Sequence, residues 1–119
     1  MPLLVYKNLR NVDIRIARIF NTFGPNMEMN DGRVISNFIV QAIKGENISI
    51  YGDGKQTRSF CYIDDMIKGL SALMNSKFTN PVNIGNDKEF SILEVAEIII
   101  DLTQSKSEIV FMPFPENDP

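Results

Sequence analysis

The stretch Ile48-Ser-Ile-Tyr-Gly-Asp-Gly-Lys-Gln-Thr-Arg-Ser-Phe-Cys-Tyr-Ile-Asp-Asp65 decides how the chain is read. Its first residues alternate, with Ile48 and Ile50 apolar, as a short half-buried strand does. Gly52-Asp53-Gly54 then breaks the pattern with a composition that favours a tight turn at positive φ. A second alternating run, marked by Phe60 and Tyr62, predicts a partner strand and hence a hairpin, after which Asp64 or Asp65 offers a carboxylate to cap a helix. Arg58 stands between turn and strand. Its planar guanidinium can hold two anionic oxygens at once, which suits a phosphate; a plain hairpin with a solvated arginine reads equally well from these residues alone.

Working outward, the upstream residues supply a strand and a helix. Ile14, Ile16, Ala17 and Ile19-Phe20, interleaved by Arg15 and Arg18, predict a strand at 14–20 lying inside a sheet. Asn21-Thr22-Phe23-Gly24-Pro25 ends it at a Gly-Pro breaker. Open α/β sheets gather ligand contacts at the carboxyl ends of their strands, so Asn21 and Thr22 are candidates, against a turn that satisfies only its own backbone. Val34, Ile35, Phe38, Ile39, Ala42 and Ile43 recur at helical spacing up to Gly45, a natural stop. Arg33, in the first turn, points to solvent or to an anion.

Downstream, Met66, Ile67, Leu70, Leu73 and Met74 describe a second amphipathic helix, with the methionines as core filler. Val82–Asn86 reads as a short strand closed by a turn. Ser91-Ile-Leu-Glu94 is a capping box with Phe90 and Val95 at staple positions. It opens a helix running to about Leu102 that buries Val95, Ile98, Ile99 and Leu102. Ile109–Phe111 is a last strand, and Leu3, Leu4 and Leu9 fit the final turns of a helix begun further upstream.

Composition bounds the chemistry. The 119 residues suffice for one core-bearing domain, and a net charge of −3 argues against general nucleic-acid or anionic-membrane binding, so an anion site must be local. There is no histidine, which excludes Ser-His-Asp and Cys-His catalysis and histidine metal ligation. Cys61 is the one cysteine and reads as a buried strand residue in a reducing compartment. No apolar run approaches the ~18 residues of a membrane span and no signal segment is visible, so a cytoplasmic location is expected.

Four runs, taken together, carry a resemblance: Arg15-Ile-Ala-Arg-Ile-Phe-Asn-Thr-Phe-Gly-Pro25, Met29-Asn-Asp-Gly-Arg-Val-Ile-Ser-Asn-Phe38, Ile50-Tyr-Gly-Asp-Gly-Lys-Gln-Thr-Arg-Ser-Phe60 with Tyr62, and Pro81-Val-Asn-Ile-Gly-Asn86. In this order they resemble the nucleotide-sugar short-chain dehydrogenases, of the NAD-dependent epimerase/dehydratase type. The nearest subgroup is the UDP-glucuronate decarboxylases, or UDP-xylose synthases. The resemblance implies an α/β fold in which residues 1–25 are the last part of an NAD-binding Rossmann domain and the join, and residues 26–119 most of a nucleotide-sugar lobe. It implies conversion of UDP-glucuronate to UDP-xylose through an NAD-linked 4-keto intermediate.

Carried over by position, Thr22 and Arg33 match cofactor-side residues, and Arg33 also lies near substrate phosphates. Asn21 matches a sugar-nucleotide contact, Ile50, Tyr51 and Gly52 a segment beside the uracil, and Arg58 a diphosphate or ribose contact. Tyr6 falls where a residue approaches the substrate. Asn26 and Glu28 replace residues usually basic in the decarboxylases, and a carboxylate at position 28 would weaken attraction for an anionic sugar nucleotide if it faces the site.

The family's Tyr-x-x-x-Lys pair and glycine-rich dinucleotide fingerprint are missing from this sequence, as is the Arg-Lys-Pro segment beyond Pro119. The expectation is a portion of such an enzyme, with no catalytic or metal residue of its own, inactive alone and not binding NAD alone, whose parent is Golgi-anchored if a missing N-terminus supplies the anchor. The alternatives are a 4,6-dehydratase or epimerase portion, a non-catalytic module that binds a UDP-sugar or pairs with itself or a full-length homologue, and an inert remnant.

Overall fold

The computed structural model describes residues 11–115. These fall into two compact units that interleave along the chain: residues 11–22 with 60–86, and residues 23–59 with 87–115.

In the first unit, strand β1 (Ala17–Ile19) pairs in parallel with β6 (Val82–Ile84), Ala17 opposite Val82 and Ile19 opposite Ile84. The ladder is lengthened by Val82 N–H donating to the Ile16 carbonyl at 3.0 Å and Phe20 N–H to that of Ile84 at 2.9 Å. The predicted strand at 14–20 is thus shorter, and among the described residues it has one partner rather than a place inside a sheet. Strand β2 (Asn21–Phe23), which ends one residue past this unit, pairs with β5 (Phe60–Tyr62). Helix α2 (Ile63–Met74) packs on β1, β5 and β6, burying Met66 and Leu73 beside Cys61. Arg15 fastens the end of this helix: its Nε and Nη2 both donate to the Ser76 carbonyl, at 2.9 and 2.6 Å, while Nη1 meets Asp13. A fixed guanidinium fork suits carbonyls left without partners past a helix terminus.

The second unit is an α/β layer. Strand β3 (Ile48–Tyr51) pairs in parallel with β8 (Ile109–Met112) in the register Ile48 to Ile109 and Tyr51 to Met112. Helices α1 (Val34–Lys44) and α3 (Ile92–Thr103) pack on each other and on β3. Phe38, Ala42, Ile48, Ile50, Val95, Ala96 and Ile99 form the core. Gly45 takes the left-handed conformation (φ 71°) that ends α1 as its sequence predicts. Ser105 and Ser107, past α3, donate hydroxyl hydrogen bonds to the Ala42 and Gln41 carbonyls, the former at 2.6 Å, so the carboxyl ends of α1 and α3 lie at one level.

The hairpin is not formed. Gly52 and Gly54 do take positive φ (79° and 73°), but β3 is paired with β8, while the return strand is split into β4 (Thr57–Arg58), antiparallel to β7 (Phe90–Ser91), and β5, paired with β2. A period of two places apolar residues on one face of a strand and says nothing about which strand lies beside it. Neither Asp64 nor Asp65 caps α2: the N-cap is Tyr62, and both aspartates sit in the first turn, where a negative charge still opposes the helix dipole favourably. Arg33 is the N-cap of α1 rather than a first-turn residue. Ser91 and Glu94 make both bonds of the predicted capping box. Ile98 and Leu102, expected in the core, are exposed, as are Ile43, Ile67, Leu70 and Met74.

Candidate functional site

The carboxyl ends of two parallel strands are where an open α/β layer leaves backbone and side chains available to a ligand. In the second unit these are the ends of β3 and β8, joined by Gly52 N–H donating to the Met112 carbonyl at 2.8 Å. Immediately beyond, the Gly52-Asp53-Gly54 turn is locked from several sides. Asp53 Oδ1 accepts from Lys55 N–H at 2.9 Å, and Gln56 Nε2 reaches back to the Tyr51 carbonyl at 3.3 Å. The turn also supplies carbonyls to the start of α3: Leu93 N–H donates to Gly54 and Ile92 N–H to Gln56. With Glu94 N–H bound to Ser91 Oγ, the first three amides of α3 are spent inside the fold, so its dipole end is closed to an external anion.

Cationic and aromatic groups follow on and beside β4 and β7. Arg58 is exposed on β4, its Nη1 donating to the Thr57 carbonyl at 2.9 Å, opposite Phe90 in the β4–β7 register. Lys88 Nζ lies 5.1 Å from the Phe90 ring centre, a cation–π distance. Thr57 Oγ1 reaches Glu89 Oε2 at 3.4 Å. Phe114 rests on Gly52: a Cβ built there would meet its ring at 2.6 Å.

The expected site residues sort as follows. Tyr51 and Gly52 lie at this turn, where Gln56 bonds back to the Tyr51 carbonyl, and Arg58 follows on β4. Ile50 is 1% exposed, so its side chain belongs to the core, and its part is to hold Tyr51, 47% exposed, outward on the opposite face. Arg33 is exposed at the start of α1, in the same unit but on another element; its own N–H is held by Asp31 Oδ1 at 2.9 Å. Asn21 and Thr22 belong to the first unit, Asn21 exposed and Thr22 with its hydroxyl donated to the Phe20 carbonyl at 3.0 Å. Tyr6 lies outside the described residues. The first unit also has an open cavity of about 460 Å³ lined by Cys61, Asp65, Gly69, Leu73, Asn83 and Gly85 among others, with none of the expected residues in its wall. Gln56, Lys88 and Phe114 escaped the sequence reading. For Gln56 the signal was its place just after the glycine turn; the other two carry none, being single residues outside any period.

A family model described as the NAD dependent epimerase/dehydratase family matches residues 3–85. The chain belongs to this family. UDP-glucuronic acid decarboxylase 1 of Danio rerio is 53% identical over 114 residues, which are 96% of this chain and 27% of that relative. UDP-glucuronic acid 4-epimerase of Bacillus cereus, solved in complex with UDP-glucuronic acid and NAD, superimposes with a TM-score of 0.83 at 28% identity, covering 98% of this chain and 37% of that one. UDP-glucose 4-epimerase of Thermotoga maritima, solved with UDP-glucose, reaches a TM-score of 0.91 at 23% identity over 99% of this chain and 38% of that one, a likeness of fold. The chain spans about a quarter of the length of the curated decarboxylases of Danio rerio and Xenopus tropicalis that it matches.

An NAD-dependent family raises the question of whether the described residues fit a dinucleotide, and they do not form its cradle. A cradle needs glycines whose missing side chains leave room for phosphate. Gly52, Gly54, Gly69 and Gly85 instead face Phe114, Ile50 with Leu93, Ile84 and Phe20, all within the fold, Gly32 and Gly45 have open space but stand singly before and after α1, and the Thr22 hydroxyl is bound to the backbone. No step involving the dinucleotide is assigned to them.

Proposed function

We propose that this chain supplies nucleotide-sugar contacts of a UDP-glucuronate decarboxylase, an enzyme that converts UDP-glucuronate to UDP-xylose. The observation that carries the reading is 53% identity sustained over 96% of the chain to a UDP-glucuronic acid decarboxylase. The geometry supports it: an outward aromatic at Tyr51, a rigid glycine turn and an exposed guanidinium at Arg58 offer a surface for a base and a fork for phosphate oxygens. Arg33, Asn21 and Thr22 are proposed contacts on the other elements, with Arg33 and Thr22 toward the cofactor of the larger enzyme. That cofactor is NAD. A 4-epimerase portion is the alternative, favoured by the likeness to the UDP-glucuronic acid 4-epimerase; both readings take UDP-glucuronate.

Calorimetric titration of the folded chain with UDP-glucuronate, UDP and NAD tests this. Micromolar to low-millimolar binding of the UDP compounds is expected, abolished in Arg58→Ala, with no heat from NAD. Equal binding by Arg58→Ala would remove the phosphate role from Arg58.

A second reading, a module that associates with another copy or a longer homologue, is favoured by the exposed apolar pairs Ile39–Ile43 on α1 and Ile98–Leu102 on α3, each spaced one helical turn apart.

A further inference from the structure

Arg33 keeps its charge available. It is exposed, and among the described residues its guanidinium makes no hydrogen bond or ion pair. The acid nearest to it along the chain is Asp31, two residues before, the natural partner of an exposed arginine. That carboxylate is engaged elsewhere. Its Oδ1 accepts from the Arg33 N–H at 2.9 Å, and its Oδ2 from the Ser36 hydroxyl at 3.4 Å. Aspartate and asparagine bond to the backbone two residues on because their short side chain returns to the chain there, whereas a longer glutamate does not.

Asp31 is itself held. Ser36 is 6% exposed on the first turn of α1, and its hydroxyl has Asp31 Oδ2 and, at 3.7 Å, Met27 Sδ as partners. A thioether is a weak acceptor, so the carboxylate is the better partner of this buried hydroxyl. From the other side, the Arg33 carbonyl accepts from Asn37 N–H at 2.9 Å as α1 begins. The backbone of Arg33 is thus fixed through its amide and its carbonyl, while its side chain takes no part in capping the helix. A cation that leaves the chain from a fixed point loses less freedom on taking an anion.

We propose that Asp31 is a positioning residue for Arg33: by bonding to the Arg33 backbone and to Ser36 it fixes where the guanidinium leaves the chain and stays out of an ion pair with it, so that the charge is presented to a phosphate. The proposal rests on the nucleotide-sugar reading above, in which Arg33 is a contact, and adds to it the residue that orients that contact.

The sign of one substitution separates this role from plain electrostatics. A carboxylate beside an anion repels it, so a change that merely removed Asp31 would tighten UDP binding. Calorimetry of the full chain with UDP is expected to show the reverse: binding weaker about tenfold in Arg33→Ala, the scale of a lost charge-assisted hydrogen bond, and about fivefold in Asp31→Ala. Asp31→Asn, which keeps the bond to the Arg33 N–H without the charge, retains binding. Asp31→Glu, which keeps the charge and misplaces the oxygens, weakens it as Asp31→Ala does and carries the test if Asp31→Ala does not fold by circular dichroism. In the Arg33→Ala background, Asp31→Ala produces no further loss. Tighter or unchanged binding by Asp31→Ala overturns the proposal, as does a loss in Asp31→Asn equal to that in Asp31→Ala. A loss that persists undiminished in the Arg33→Ala background also overturns it, since Asp31 would then act on the fold at large. UDP binding that is lost in Arg58→Ala but indifferent to Arg33→Ala overturns this proposal alone. Absence of any UDP binding to the unaltered chain overturns both this proposal and the reading on which it rests.

Discussion

Gly52 joins the turn, the sheet end and the candidate site in one residue. Its φ of 79° lies where a Cβ is repelled by the backbone, and the space a Cβ would take belongs to the Phe114 ring. Gly52→Ala therefore carries a conformational penalty of about 1–2 kcal/mol, the exposed Phe114 ring being free to swing aside, and should lower the thermal midpoint by several degrees in a melting experiment. An unchanged midpoint would mean that the turn relaxes freely. The positive φ was legible in Gly-Asp-Gly, because few other compositions allow such a turn. The contact with Phe114 was not, since a lone aromatic between prolines has neither period nor cap to announce it. Ile50, expected beside the uracil from the resemblance, has its side chain in the core, because alternation along a strand sends it and Tyr51 to opposite faces.

Among the elements, the helices were the most legible because each carried two independent signals, a 3.6-residue period and a terminus. α3 has its capping box and α1 its left-handed Gly45. Ser91→Ala removes the acceptor for Glu94 N–H and should cost about 1 kcal/mol in chemical denaturation, and Ser91→Asp should restore most of it. Loss of nothing measurable would show that the carbonyls of Gly54 and Gln56 suffice to hold the start of the helix. Strand partners were not legible. β3 and β8 are separated by residues 52–108, which include the whole 60–86 run of the first unit, and the parallel pairing depends on α3 crossing between β7 and β8, a tertiary event that no local pattern encodes. Amphipathic counting also placed Ile98 and Leu102 inside, because period alone marks an apolar stripe without showing how much of it another element covers.

At the scale of the molecule, the two units interleave, each built from two separated runs of chain. Linear reading assigns boundaries along the sequence and does not see such exchange. The second unit also leaves uncovered Ile43 at 72% and Leu102 at 77% exposed, on helices whose carboxyl ends are level. If these apolar residues mediate association, Ile43→Lys with Leu102→Glu should convert a concentration-dependent species in sedimentation velocity into a monomer; identical profiles would assign association, if present, to another surface. Membership in the NAD dependent epimerase/dehydratase family stands on the match over residues 3–85 and on 53% identity to a decarboxylase. We propose that the chain itself binds the nucleotide part of a sugar nucleotide through the Tyr51–Arg58 region. The most direct test is calorimetry of the folded 119-residue chain with UDP, run beside Arg58→Ala. Saturable heat from UDP that vanishes in the variant is expected. A folded chain that gives no heat with UDP or UDP-glucuronate would contradict it.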